Sequence, residues 1–453
     1  MRSRPPFPTL RDTFMRTNRR TFLGAAAAAW ALRSCGSRRL LAGPLASDND
    51  VIQKARQTAL AILQPSDAEV QHGLELHSSS IVFDSYGFAP RAALDGSAFR
   101  EFMLGGASDA ELADMREEMS MTGAVYSEIE RREFLEAFHS AGVTCIFQNA
   151  GEEGSDTLRL LKRLSRFTFL TDRLRDVCPK AVVPGDVAAA KKAGKICLAF
   201  TTNGVPLRGV MESTRDELRN IRLFKQLGVQ MMHLTYNRRN ALGDGCGEPN
   251  DAGISDFGRT AIAELNRIGV IVDVAHSGRR TSLEAAQASR KPMVASHTAC
   301  AALQDHYRGK TDVVIKAICD TGGLVGICCI PKFLGGKGDI TALLDHLDYA
   351  IKKFGGEHVA IGTDIAYSSR NDKAEREKIG KRPDGRTPTS AGPRWEHLWP
   401  EFEFRENPEA TQSIAWTNWP LFTVGLVQRG HSDETIRKVL GENTLRVWEA
   451  NQI

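Results

Sequence analysis

The sequence predicts an α/β protein: a (β/α)8 barrel of the TIM type, eight parallel strands with a C-terminal helical extension. Three observations carry that expectation. Eight short apolar or β-branched runs recur along the chain, amphipathic helical stretches separate most of them, and no GxGxxG or P-loop pattern follows any run. Parallel neighbours need a long crossover, usually a helix, and eight of them close into a barrel. The missing glycine-rich loops argue against the open, doubly wound alternative.

The runs fall at residues 81–86, 143–149, 196–202, 230–236, 270–276, 292–297, 323–329 and 358–364. Their continuous apolar character suits strands buried on both faces. Helical spacing of apolar residues marks 216–227, 256–267, 282–289, 312–321 and 340–354. Residues 370–415, mixing charge, proline and tryptophan, predict a long loop or lid before the terminal helices. There is no internal repeat. Residues 47–453 are therefore expected to form a single barrel domain.

The chain of 453 residues is 42% apolar and 25% charged, which excludes a disordered chain, a collagen-like repeat and a polytopic membrane protein. Its formal charge of +4 is concentrated in the leader. Residues 1–46 contain nine arginines and one acid, and the remainder holds 50 basic against 54 acidic residues. A nucleic-acid partner thus loses its compositional support. Asn18-Arg19-Arg20-Thr21-Phe22-Leu23 followed by an alanine-rich run predicts a twin-arginine (Tat) signal over residues 1–46. That run, about 12 residues, is shorter than the roughly 20 needed to span a bilayer. The expected location is periplasmic or extracellular, with the Tat export machinery as a partner and no transmembrane span. Cys35 is a poor lipoprotein site because Arg33 stands where a small residue is wanted. No CxxC pair occurs among the nine cysteines, and Cys145, Cys197, Cys328 and Cys329 lie in strand-like runs as buried thiols.

In such barrels the chemistry gathers where strands end. Val270-Ile271-Val272-Asp273-Val274-Ala275-His276 and Pro292-Met293-Val294-Ala295-Ser296-His297 each end in an imidazole, and Val359-Ala360-Ile361-Gly362-Thr363-Asp364 ends in a carboxylate. Two imidazoles and a carboxylate at one mouth can hold a divalent ion, or leave the carboxylate to act as base on a water. His72, His77, His139, His346, His397 and His431 fall on polar or unplaced stretches and are expected at the surface.

With those residues in view, the chain resembles the membrane (renal) dipeptidase family of zinc metallopeptidases. The resemblance rests on Leu234-Thr235-Tyr236-Asn237, Gly253-Ile254-Ser255-Asp256-Phe257-Gly258, Asp273-Val274-Ala275-His276-Ser277, Ser296-His297, Asp305-His306-Tyr307-Arg308, Gly362-Thr363-Asp364 and Val439-Leu440-Gly441-Glu442-Asn443. It implies an amidohydrolase-like barrel that cleaves dipeptides at two zinc ions. It further implies that His276 and His297 bind one zinc, that Asp364 takes the proton from the attacking water, and that Arg308 holds the substrate carboxylate. Tyr236 stands where the family has a histidine that contacts the substrate, and a phenol can still donate to an oxyanion.

Three positions depart from the family pattern. Tyr86 and Phe88 stand where the first strand carries a ligating histidine and aspartate, and Thr202 where the third strand carries a bridging glutamate. One zinc at most is therefore expected, with Glu152 and Glu153 as substitute ligands only if their loop turns inward. Two functions remain open: an exported hydrolase of dipeptides or similar small amides with a depleted metal site, and a non-catalytic barrel that binds a small carboxylate ligand.

Overall fold

A computed structural model describes residues 47–151, 157–209, 212–382, 400–405 and 407–453. The twin-arginine segment, Cys35, Glu152, Glu153 and His397 lie outside these residues. The eight predicted runs form eight strands: β1 (Phe83–Gly87), β2 (Cys145–Gly151), β3 (Cys197–Thr202), β4 (Val229–His233), β5 (Ile271–Asp273), β6 (Val294–Thr298), β7 (Leu324–Ile327) and β8 (Val359–Ile361). They pair in parallel and in sequence order. The Asp364 N–H donates to Tyr86 O across 3.0 Å, bringing the β8 end back to β1. The fold is a (β/α)8 barrel.

Strand alternation separates two cores. Val82, Ile146, Leu198, Val272 and Val325 pack outward against the helices, whereas Phe83, Phe147, Met231, Ile271 and Leu324 fill the barrel. The last helix, Asn443–Asn451, closes the end where the strands begin. Trp448 on it sits 5.3 Å from Phe147 and 6.2 Å from Phe83 between ring centroids. Higher in the barrel, the Ser85 hydroxyl reaches Ser296 O at 2.9 Å and Ile361 O at 3.0 Å. Gly326 and Gly362 make room for it, since a Cβ at either would lie within 2.0 Å of Ser296 O.

Helix boundaries follow from local chemistry. Ser255 caps Asp256–Arg267 by accepting from the Gly258 N–H, and Asp339 caps Ile340–Phe354 through Thr341 and Ala342. Two further helices, Asp50–Leu63 and Asp67–Ser79, precede the barrel. Within the stretch expected to be a loop, the chain forms helices at Asp372–Ile379 and Pro408–Ser413. Among the described residues no helix is long and apolar enough to cross a membrane.

Two histidines expected at the surface are core residues. His77 continues the buried stripe Val70, Gly73, Leu76, bonding Thr423 Oγ1 at 2.8 Å and Ala141 O at 2.9 Å. His346 lies beside Leu343 and Leu347, with its ring nitrogens on Cys300 N and Leu334 O at 3.0 Å each. In both, the helical period outweighed polarity because each ring nitrogen found a partner. His72 and His139 are exposed, and His431 is half-buried against Asp348 at 2.6 Å. The eight described cysteines are all free and buried.

Candidate metal centre at the barrel mouth

The strand ends bring His276, His297, Arg308, Tyr236 and Asp364 to one mouth. Asn237, next to Tyr236, and Asp364 both adopt left-handed backbone, at φ +60° and +57°. Asn and Asp tolerate that region better than other side-chain-bearing residues, and here it turns the chain sharply off the strand.

The two imidazoles are aimed by their neighbours. His276 Nδ1 lies 2.7 Å from Asn237 Oδ1, so it donates there and leaves Nε2 as a lone pair. The Ser296 hydroxyl donates to Asp273 Oδ2 and therefore accepts from His297 Nδ1, 2.8 Å away. This too leaves Nε2 as a lone pair. The two Nε2 atoms then face each other at 2.9 Å. Paired lone pairs held by outer hydrogen bonds are the arrangement that metal-binding imidazoles adopt. Burial, reinforced by the Arg308 charge, holds both rings well below the usual histidine pKa, in the neutral form that ligation requires.

Arg308 is itself buried. One nitrogen donates to Ala275 O, and Nη2 lies 3.3 Å from His297 O and 3.4 Å from His276 Nε2. Lys310 is also buried, bonded to Ser277 O at 2.6 Å, and burial lowers its pKa to about 7. Burial raises Asp364 to about 6, against the opposing pull of Arg308, so it is ionised at neutral pH yet still a competent proton acceptor. Tyr236 stacks on His276, centroids 4.2 Å apart, and lines a cavity of about 380 Å³ with Phe88, Gln148, Asn203 and Arg163.

Tyr86, Phe88 and Thr202, the three positions singled out in the sequence, have partners within the protein. Tyr86 donates its hydroxyl to Asn203 Oδ1 at 2.5 Å. Burial raises its phenol well above 10. Thr202 Oγ1 donates to Gly204 O at 2.7 Å, and Phe88 stands edge-on to Tyr86.

Sequence reasoning passed over His233 and Asp273. His233 ends β4, Asp273 ends β5, and the two are register partners. His233 Nε2 lies 2.6 Å from Asp273 Oδ2, and among the described residues Nδ1 has no hydrogen-bond partner. Burial alone would raise the Asp273 carboxyl, but His233, the Ser296 hydroxyl and the Ala275 N–H hold it below the usual carboxylate range. Potential ligand atoms of His233, Asp273 and His297 lie within 4.8 Å of one another. The signal was available: a histidine inside the apolar run Met231-Met232-His233-Leu234 needs a polar partner.

A family model described as membrane dipeptidase (peptidase family M19) matches residues 71–373. An uncharacterized dipeptidase of Schizosaccharomyces pombe is 30% identical over 206 residues, covering 44% of this chain and 48% of its own. The dipeptidase tcpJ of Claviceps purpurea is 25% identical over 332 residues, covering 72% of this chain and 64% of its own. The matches thus span from just under half to just under two thirds of these relatives' own length. An amidohydrolase from Pseudomonas aeruginosa superimposes with a TM-score of 0.59 at 26% identity, over 84% of this chain and 98% of its own. A Rhodobacter sphaeroides metallo peptidase, solved with a phosphinate mimic of the dipeptide L-Ala-D-Ala, shares the fold at 17% identity, a TM-score of 0.58, and 82% and 100% coverage. The family match covers two thirds of the chain and takes in all eight strands and the two facing imidazoles: the chain belongs to the membrane dipeptidase family, M19.

Proposed function

We propose that the protein is a metallohydrolase that cleaves a dipeptide or similar small amide, using one divalent cation where the family uses two zinc ions. The observation that carries this reading is the facing pair of Nε2 lone pairs on His276 and His297, beside Asp364 and Arg308. The donor set suits one ion. A second would need the ligands whose places Tyr86, Phe88 and Thr202 take, and these side chains are engaged elsewhere.

A divalent ion held by the imidazoles would supply Lewis acidity toward a water and the scissile carbonyl. The remaining work falls to the protein. Arg308 presents a planar fork to the substrate carboxylate. Asp364 takes a proton from the attacking water as the C–O bond forms, and returns it to the departing amine as the C–N bond then breaks. Tyr236, stacked on His276, donates its phenolic hydrogen to the developing oxyanion. The cavity beyond Tyr236 admits the rest of the substrate. The pattern Asn18-Arg19-Arg20-Thr21-Phe22-Leu23 supports export by the Tat route to the periplasm or beyond.

A dipeptide screen on protein of measured zinc content tests this reading. Hydrolysis that needs about one zinc per chain supports it. Metal-loaded protein that binds dipeptides without turnover would favour the non-catalytic carboxylate-binding barrel, a reading kept open by the replaced ligands on β1 and β3.

A further inference from the structure

We propose that His233 on β4 and Asp273 on β5 are ligands of the cation, completing with His297 and His276 a three-imidazole, one-carboxylate site deeper in the barrel. The inference rests on the one-cation reading above but not on hydrolysis. Four observations lead to it. His233 is fully buried, with Nε2 2.6 Å from Asp273 Oδ2 and, among the described residues, no hydrogen-bond partner for Nδ1. A buried imidazole in that state costs free energy unless something binds it. Potential ligand atoms of His233, Asp273 and His297 also lie within 4.8 Å of one another. The His233 ring stands 5.3 Å from both His276 and His297, centroid to centroid. His297 Nε2, the atom turned toward His276, is 2.9 Å from the second lone pair.

The chemistry of the set is that of zinc. Three imidazoles and one carboxylate make a nitrogen–oxygen donor set suited to a borderline ion that can add a fifth position for a water, whereas magnesium and calcium prefer oxygen. Asp273 is already oriented, with Oδ1 accepting from Ala275 N at 2.8 Å and Ser296 N at 3.1 Å. In this arrangement β4 and β5 take over ligation where β1 and β3 have given it up. Asp364 is left outside the ligand set as a proton acceptor.

The test is zinc affinity by competition titration of the full mature chain, with X-ray absorption on the zinc-loaded wild type to count imidazoles. His233→Gln is expected to weaken zinc by about 100-fold or more, whereas Asp364→Asn changes it by no more than about threefold. X-ray absorption should report three imidazoles, a measurement that needs no variant to fold. Two imidazoles, unchanged affinity in His233→Gln, or no zinc bound by the wild type would each overturn the inference. Three imidazoles without dipeptide turnover would leave the site standing and remove the hydrolase reading. Turnover with zinc affinity intact in His233→Gln would do the reverse.

Discussion

Tyr86 lies flat on His297, with ring centroids 3.8 Å apart and planes 15° from parallel. Its hydroxyl is fixed on Asn203, so the phenol packs against one of the two facing imidazoles. Tyr86→Phe should keep the stack and lose the hydrogen bond. The expected cost is about 1–2 kcal/mol from a buried, unpaired Asn203 oxygen. Zinc content should not change. Denaturant unfolding and elemental analysis on the same preparation check both, and a loss of zinc would make Tyr86 a ligand after all.

Asp364→Asn removes the proton acceptor and keeps the shape. On the proposed mechanism kcat falls by about 10²–10⁴-fold while KM changes little. Steady-state kinetics with a cleaved dipeptide decides it. Loss of ligand affinity together with turnover would instead make Asp364 part of the binding surface.

Arg308→Lys keeps the charge and discards the fork. KM for a dipeptide should rise by about 10-fold or more, with a smaller change in kcat, because a point charge does not reproduce bidentate recognition. A dipeptide amide, which lacks the carboxylate, should be insensitive to the change. Equal losses on both substrates would count against the role given to Arg308.

His77 supplies an acid-sensitive element far from the mouth. Burial lowers its pKa to about 4, against an ordinary 6.5, so the folded state holds it neutral. As pH falls below 6.5 the unfolded chain takes up a proton that the folded chain refuses. The contribution is whole above 6.5 and is lost progressively toward pH 4, on the order of 3 kcal/mol in total. Asp84, raised to about 7 by burial, works in the opposite sense over an overlapping range. The measurement is therefore the difference in Tm between wild type and His77→Gln from pH 8 to pH 4.5. That difference should shrink on acidification, and a constant offset would contradict it.

The barrel was legible in the sequence because each strand is a short apolar run with its own helix after it, and those periods are local. His276, His297 and Asp364 were legible for the same reason, being polar residues that end apolar runs. The burial of His77 and His346 was hidden because a histidine on an apolar helix face belongs to the core only when both ring nitrogens find partners, which lie far along the chain. The His233–Asp273 pairing was hidden more deeply. It depends on the register of β4 against β5, on the direction of each ring, and on Ser296 being placed to turn His297. By itself, the sequence determined which residues reach the mouth. Only the tertiary structure decided which of them face one another, because lone-pair direction is set by contacts between neighbouring strands and not by spacing along one.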